Sequence, residues 1–266
     1  MVRPKKHLGQ HFLTDPAIAQ RIVDALDSPP EDVVVEVGPG TGVLTRWLLE
    51  KDIQFFPVEI DTESVVHLKN KWPQLNETLV EGDFLKLDLD RFPAGKMHII
   101  GNFPYNISSQ IFFKVLENRQ RVDSVVCMLQ KEVAERIASP HGSKRYGILS
   151  VLLQAYYDIS YLFSVKPGSF FPPPKVTSGV IRMKRNDRTA LPCDEALFLR
   201  VVKAVFNQRR KMIRNSIQSI LLNLDSDNEF LTKRPEQLNV QQFIELTNWV
   251  ASQPLRTSDP PKPAKS

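Results

Sequence analysis

The stretch Val33-Val34-Val35-Glu36-Val37, running straight into Gly38-Pro39-Gly40-Thr41-Gly42, constrains this chain more than any other. The valine-rich run reads as a buried β-strand, and the periodicity after it predicts a helix over 44–51. Strand, glycine turn and helix make a nucleotide-loop arrangement. Glycines let the backbone approach a ligand closely, and a helix N-terminus offers unpaired N–H groups. The spacing lacks the third glycine of a dinucleotide fingerprint and the Gly-Lys-Ser/Thr of a phosphate loop, so neither pyrophosphate nor triphosphate is favoured.

Three further strand ends point the same way. A second apolar strand, 54–58, ends in Glu59-Ile60-Asp61, about 20 residues beyond the glycine turn, where an acidic side chain holds ribose hydroxyls. A third, 78–81, leads into Gly82-Asp83-Phe84, with Asp83 placed to accept from an adenine amino group. The fourth, 97–100, runs into Gly101-Asn102-Phe103-Pro104-Tyr105-Asn106. There an amide with both donors and an acceptor, a residue of fixed φ and an aromatic face stand side by side, a combination suited to gripping a flat, amino-bearing base. All four features fall at carboxyl ends of successive strands, where open α/β sheets bind ligands.

Upstream, a basic patch leads through Gly9-Gln10-His11-Phe12-Leu13 into a helix expected over 16–26, with Asp15 as N-cap and Pro16 at its first position. Downstream, helices are expected over 109–116, 131–138 and 147–156, with strands over 125–129, 159–165 and 179–183. The loop 139–146 is basic through Lys144 and Arg145, and Phe170-Phe171-Pro172-Pro173-Pro174-Lys175-Val176 reads as a stiff connector bearing aromatics. A composition shift over 186–192 marks a boundary, followed by helical periodicity over 195–208, 211–224 and 240–251. A first helix extended through its basic end would align Arg200, Lys203, Arg210 and Arg214 beside the apolar Leu199, Val202, Phe206 and Ile213, a face suited to phosphates. After Ser252, Pro, Lys and Ser dominate, as in a disordered tail. The expected organisation is an α/β domain with an N-terminal arm over 1–186, a small all-α domain over 187–252 and a tail over 253–266.

Composition narrows the function classes. A chain of 266 residues with 42% hydrophobic and 24% charged residues has the make-up of a soluble globular protein. Its net charge of +5 tilts toward a polyanionic partner. Two cysteines without CxxC spacing fit a reducing compartment, and no Cys/His cluster suggests a metal. The N-terminal stretch lacks an apolar signal-peptide core, and no apolar run reaches membrane-span length, so a cytoplasmic location is expected.

The motifs Gly9-Gln10-His11-Phe12-Leu13, Glu36 to Gly42, Gly82-Asp83, Asn102-Phe103-Pro104-Tyr105-Asn106-Ile107-Ser108, Leu129-Gln130-Lys131-Glu132-Val133, Ser143-Lys144-Arg145-Tyr146-Gly147, Phe170 to Val176 and Phe206-Asn207-Gln208-Arg209-Arg210-Lys211 occur in this order. Together they resemble the ribosomal RNA adenine N6,N6-dimethyltransferases, which act on adjacent adenosines near the 3′ end of small-subunit (16S) rRNA. The resemblance implies a Rossmann-like fold binding S-adenosylmethionine, with His11, Leu13, Gly38, Gly40, Glu59, Asp83, Phe84 and Asn102 as cofactor residues. It implies catalysis by Asn102, Phe103, Pro104 and Tyr105, with Tyr105 and Phe170 or Phe171 stacking on the target base. RNA contacts would come from Lys144, Arg145, Lys203, Arg209, Arg210, Lys211 and Arg214. The partner would be the immature small ribosomal subunit, met by a monomer without metal or membrane. Many relatives carry Asn at position 11 and Leu at 103; a histidine still offers a ring donor, and a backbone-acting residue tolerates a changed side chain. Two other readings stand beside this one: a large-subunit rRNA adenine methyltransferase conferring antibiotic resistance, and a ribosome-assembly factor with methylation secondary.

Overall fold

The structure is a computed structural model that describes residues 2–224 and 227–256. By its contacts the chain forms two compact units. The first runs to Ala138 and resumes over Tyr156–Asp187; the second comprises Ser139–Ala155 and the chain from Arg188 on.

In the first unit, a two-residue strand β1 (Phe12–Leu13) precedes helix α1 (Pro16–Asp24). Asp15 caps α1 as its sequence predicts: Oδ1 accepts from the amides of Ala17 and Ile18 at 3.0 and 3.2 Å, satisfying two otherwise orphaned donors. The helix buries Ala19, Ile22 and Val23. There follow β2 (Val33–Val37), α2 (Thr45–Leu48), β3 (Gln54–Glu59), α3 (Thr62–Lys71), β4 (Val80–Glu81), β5 (Met97–Asn102), α4 (Ser108–Glu117), β6 (Val122–Gln130) and α5 (Lys131–Ile137). In the second unit comes α6 (Ile148–Gln154); the chain then returns with β7 (Tyr157–Val165), β8 (Phe170–Phe171) and β9 (Ser178–Arg185).

Seven strands form one sheet in the order β4-β3-β2-β5-β6-β9-β7. The first five are parallel; β9 lies antiparallel between β6 and β7. All five residues of β2 are buried, and each fully buried valine contributes roughly 1.5–3 kcal/mol. This central position explains a strand without polar alternation. The chain steps outward from β2 to β3 and β4, then returns to the other side of β2 with β5. The order therefore reverses between β2 and β5, the point at which open α/β sheets form a ligand crevice outside their carboxyl ends. Opposite this edge, buried His98 is held by Asp32 at 2.9 Å and Ser124 at 2.7 Å, so its polar atoms are satisfied.

The second unit adds α7 (Glu195–Asn207), α8 (Ile213–Ile217) and α9 (Val240–Ala251). Asp194 caps α7 at the amide of Leu197, 2.9 Å away. Phe206 is the hub of this small core, stacked on Phe243 and meeting Tyr146 edge-on. Three expectations need correcting. The boundary is not the single break expected at 186, because 139–155 belongs with the helices: Tyr146 packs on Phe206 and the Gly142 amide donates to the Glu236 carbonyl at 2.6 Å. The basic stripe is not one helix face, because α7 stops at Asn207; Gln208 leaves the helical region at φ −120°, ψ 46°, and Met212 is extended. Arg209, Arg210 and Lys211 therefore sit in a turn ahead of α8. Finally, the segment after Ser252 begins as ordered chain: Leu255 bridges Leu221, and the Leu222 amide donates to Pro254 at 2.9 Å. Residues 257–266 of the expected tail lie outside the described residues.

Candidate functional site

At the β2/β5 switch point lies a cavity of about 190 Å³. Its walls include Gly38, Gly40, Glu59, Asp83, Phe84, Asn102, Phe103, Pro104 and Tyr105, with His11 and its neighbours from the N-terminal arm. Four strand ends that the sequence separates by many residues thus converge on one space.

The glycine turn shapes its floor. Gly38 has φ 66°, and a Cβ placed on it would meet nothing within 4 Å, so its backbone faces open space. Gly40 has φ 57°, and there a Cβ would lie 2.7 Å from the Phe12 ring. Bare backbone here serves both a close approach to a ligand and the seating of the arm.

Glu59 closes one side of the cavity. Its Oε2 accepts from the Gly40 amide and its Oε1 from the Asp61 amide, both at 2.9 Å. Each oxygen keeps further acceptor capacity for a ligand hydroxyl. Burial raises the pKa of this carboxyl, and the two backbone amides pull it back. Asp61 in turn anchors the arm: it pairs with the Lys5 ammonium and accepts from Gln10. Asp83 caps its own loop at the Leu85 amide, 3.0 Å away, while lining the cavity.

Asn102 ends β5 with its side-chain orientation set: Nδ2 donates to the His11 carbonyl at 2.8 Å, which commits the other end of the amide, Oδ1, to accepting. Phe103 buries its ring against Phe112, leaving its backbone as its contribution to the cavity. His11 donates from Nδ1 to the Pro172 carbonyl at 2.8 Å and stacks on Tyr105 with centroids 5.7 Å apart.

Two expected site residues are placed elsewhere. Leu13 is 2% and Phe170 4% exposed; they face each other in a two-stranded antiparallel ribbon, β1 with β8, and their side chains enter the core rather than the cavity. Phe171, across the same ribbon from Phe12, is 60% exposed, so of the two aromatics it is the one accessible to a base. The expected RNA-contact residues Lys144, Arg145, Lys203, Arg209, Arg210, Lys211 and Arg214 all fall in the second unit, and all but the half-buried Arg209 are exposed.

Glu36 is not among the expected site residues, although a carboxylate inside an apolar strand is itself a signal. It is buried beneath the glycine turn, accepting from Thr45 Oγ1 at 2.6 Å. Burial pushes its pKa up to about 8, with Thr45 opposing and the charge of Glu59 adding to the rise. Because the folded protein then holds a proton that the unfolded chain has released, this group destabilises as pH climbs from the ordinary carboxylate range through about 8. Glu36→Gln is expected to remove that component: wild-type urea midpoints fall between pH 6 and 9, and the variant's fall less. Equal pH slopes would refute it.

Among the described residues no three His, Cys, Asp or Glu side chains are grouped to hold a metal ion. Nor is any helix among them long and apolar enough to cross a membrane.

A mixed, mostly parallel sheet whose order reverses at β2/β5, with the glycine turn, Glu59, Asp83 and the Asn-Phe-Pro-Tyr motif at its carboxyl edge, defines a Rossmann-like methyltransferase. More narrowly, the chain belongs to the ribosomal RNA adenine dimethylase family, whose sequence model matches residues 1–251. It is 56% identical to a ribosomal RNA small subunit methyltransferase A of Bacteroides thetaiotaomicron, covering 94% of this chain and 95% of the relative. A protein of the same name from Cytophaga hutchinsonii is 55% identical, over 94% and 98%. In fold it resembles a dimethyladenosine transferase from Plasmodium falciparum, with TM-score 0.75, 24% identity and coverage of 91% and 98%. It also resembles the 23S rRNA methyltransferase ErmE, with TM-score 0.66, 23% identity and coverage of 89% and 99%.

Proposed function

We propose that this protein dimethylates N6 of two adjacent adenosines near the 3′ end of small-subunit rRNA, acting as a monomer on the immature subunit in the cytoplasm. The choice of subunit is carried by the 56% identity to a small-subunit methyltransferase over nearly the whole chain. The likeness to the 23S enzyme, at 23% identity, speaks for fold alone.

The cavity's residues fit S-adenosylmethionine. Glu59 offers acceptors to ribose hydroxyls, Asp83 to an adenine amino group, and Gly38 leaves the space beside its backbone clear. Bound there, the cofactor supplies an electrophilic sulfonium methyl. The protein's remaining task is to aim a nitrogen whose lone pair is delocalised into the adenine ring. Asn102 Oδ1 and the Phe103 carbonyl accept the two N6–H bonds, which draws the nitrogen toward tetrahedral geometry; this is catalysis by orientation and electrostatics. Tyr105 stacks on the flipped-out base, a contact worth roughly 1–3 kcal/mol, and Pro104 fixes the backbone between the two residues. A methylated, cationic exocyclic nitrogen is itself acidic, so no dedicated general base is needed. The basic residues of the second unit engage rRNA phosphates.

Isolated, unmodified small and large subunits offered labelled methyl donor test this reading. Label is expected in the small subunit, as N6,N6-dimethyladenosine; preferential labelling of the large subunit would sink it. In the same assay, replacing Arg209, Arg210 and Lys211 by alanine is expected to weaken subunit binding and flatten its log–log salt slope by about 2–3. An unchanged slope would make that turn a merely solvated surface.

A further inference from the structure

The hydroxyls of Tyr105 and Ser178 lie 2.6 Å apart. Ser178 is fully buried and opens β9, where it is paired with Gln130 of β6 on one side and Val165 of β7 on the other. Its Oγ is therefore mounted on an internal strand of the sheet. Tyr105 has no such support, since it follows the end of β5 and precedes α4. Two contacts fix its ring: Ser178 at the hydroxyl end, and the His11 imidazole over one face, with an interplanar angle of 26°. His11 is itself pinned through Pro172 and through Asn102.

We propose that Ser178 is a positioning residue for methyl transfer: its hydroxyl sets the plane of Tyr105 while His11 covers one face, so that only the opposite face is presented to the target base. This rests on the reading that Tyr105 stacks on that base. A base-stacking ring must hold the exocyclic nitrogen in line with Asn102, and misplacement by about 1 Å can cost on the order of 10²-fold in rate. A ring free to tilt would also harm the second transfer more than the first, because monomethyladenosine offers one N–H instead of two and depends more on the stack. Burial raises the Tyr105 pKa, and the Ser178 contact opposes that rise, so the phenol remains neutral and able to share a proton with Ser178.

The test uses the full chain and unmodified small subunits. Ser178→Ala and Tyr105→Phe remove the same contact from opposite sides. Each is expected to slow single-turnover transfer about tenfold, to leave cofactor affinity within about twofold and to raise the ratio of monomethyl to dimethyl product. The double variant is expected to be no slower than either single one. Wild-type rates in both singles, or losses that multiply in the double, overturn the proposal. Should Ser178→Ala fail to fold, Tyr105→Phe decides by its rate and product ratio. Tyr105→Ala separates the two levels: near-normal transfer would overturn base stacking itself, whereas loss in Tyr105→Ala with full activity in Tyr105→Phe and Ser178→Ala overturns only the clamp.

Discussion

Asn102→Ala is expected to lower methyl transfer to small subunits by at least about 10²–10³-fold, the loss associated with removing one preorganised hydrogen-bonding group from a reacting centre. The structure argues for the upper end, because the side chain does two things at once. In the proposed reaction its Oδ1 accepts from N6–H, while its Nδ2 ties the arm through the His11 carbonyl. Cofactor affinity is expected to change far less, since Glu59, Gly38 and Asp83 lie at or just beyond the ends of other strands. Asn102→Asp separates the roles: it keeps an acceptor but turns an oxygen toward the His11 carbonyl, so the arm loosens while the N6 acceptor remains. Transfer assayed beside cofactor binding by calorimetry checks both variants. Near-normal transfer by Asn102→Ala would remove this residue from the reaction.

Where the physics is local, the residues announced the structure. Val33 to Val37 could only be a buried strand, and Asp15 with Pro16 could only open a helix; both stand as their sequences require. That Asn102, Glu59 and Asp83 would line one cavity was legible because clefts in open α/β sheets form at the carboxyl ends of strands. What stayed hidden depends on partners distant in sequence. The ribbon joining Phe12 to Phe171 and Leu13 to Phe170 is two residues long on each side, too short for periodicity to register, yet it buries Phe170. The apolar phase that links Phe206 to Ile213 continues through a helix end, so spacing alone could not reveal the turn at Arg209 to Lys211. The segment 139–155 joins the helical unit through Tyr146 on Phe206, a tertiary contact that no composition shift marks.

The second large effect concerns Glu59, whose carboxylate holds two backbone amides as well as facing the cavity. Glu59→Gln keeps the shape but supplies a single acceptor oxygen, and its NH₂ opposes the amide of either Gly40 or Asp61. A hydrogen bond to a charged group is worth about 1.5–3 kcal/mol, so cofactor affinity is expected to fall about 10- to 100-fold, with turnover at saturating cofactor much less affected. The pH dependence has a definite sign. Burial raises the Glu59 pKa, so the carboxylate gains its proton earlier than an exposed one as pH falls. A protonated carboxyl has less capacity to accept from ribose, and cofactor affinity in the wild type is expected to weaken on the acidic side. In Glu59→Gln that acid limb should vanish, because the titrating group is gone. Cofactor dissociation constants measured from pH 5 to 8 on both proteins decide the matter: parallel profiles would show that the limb belongs to another group.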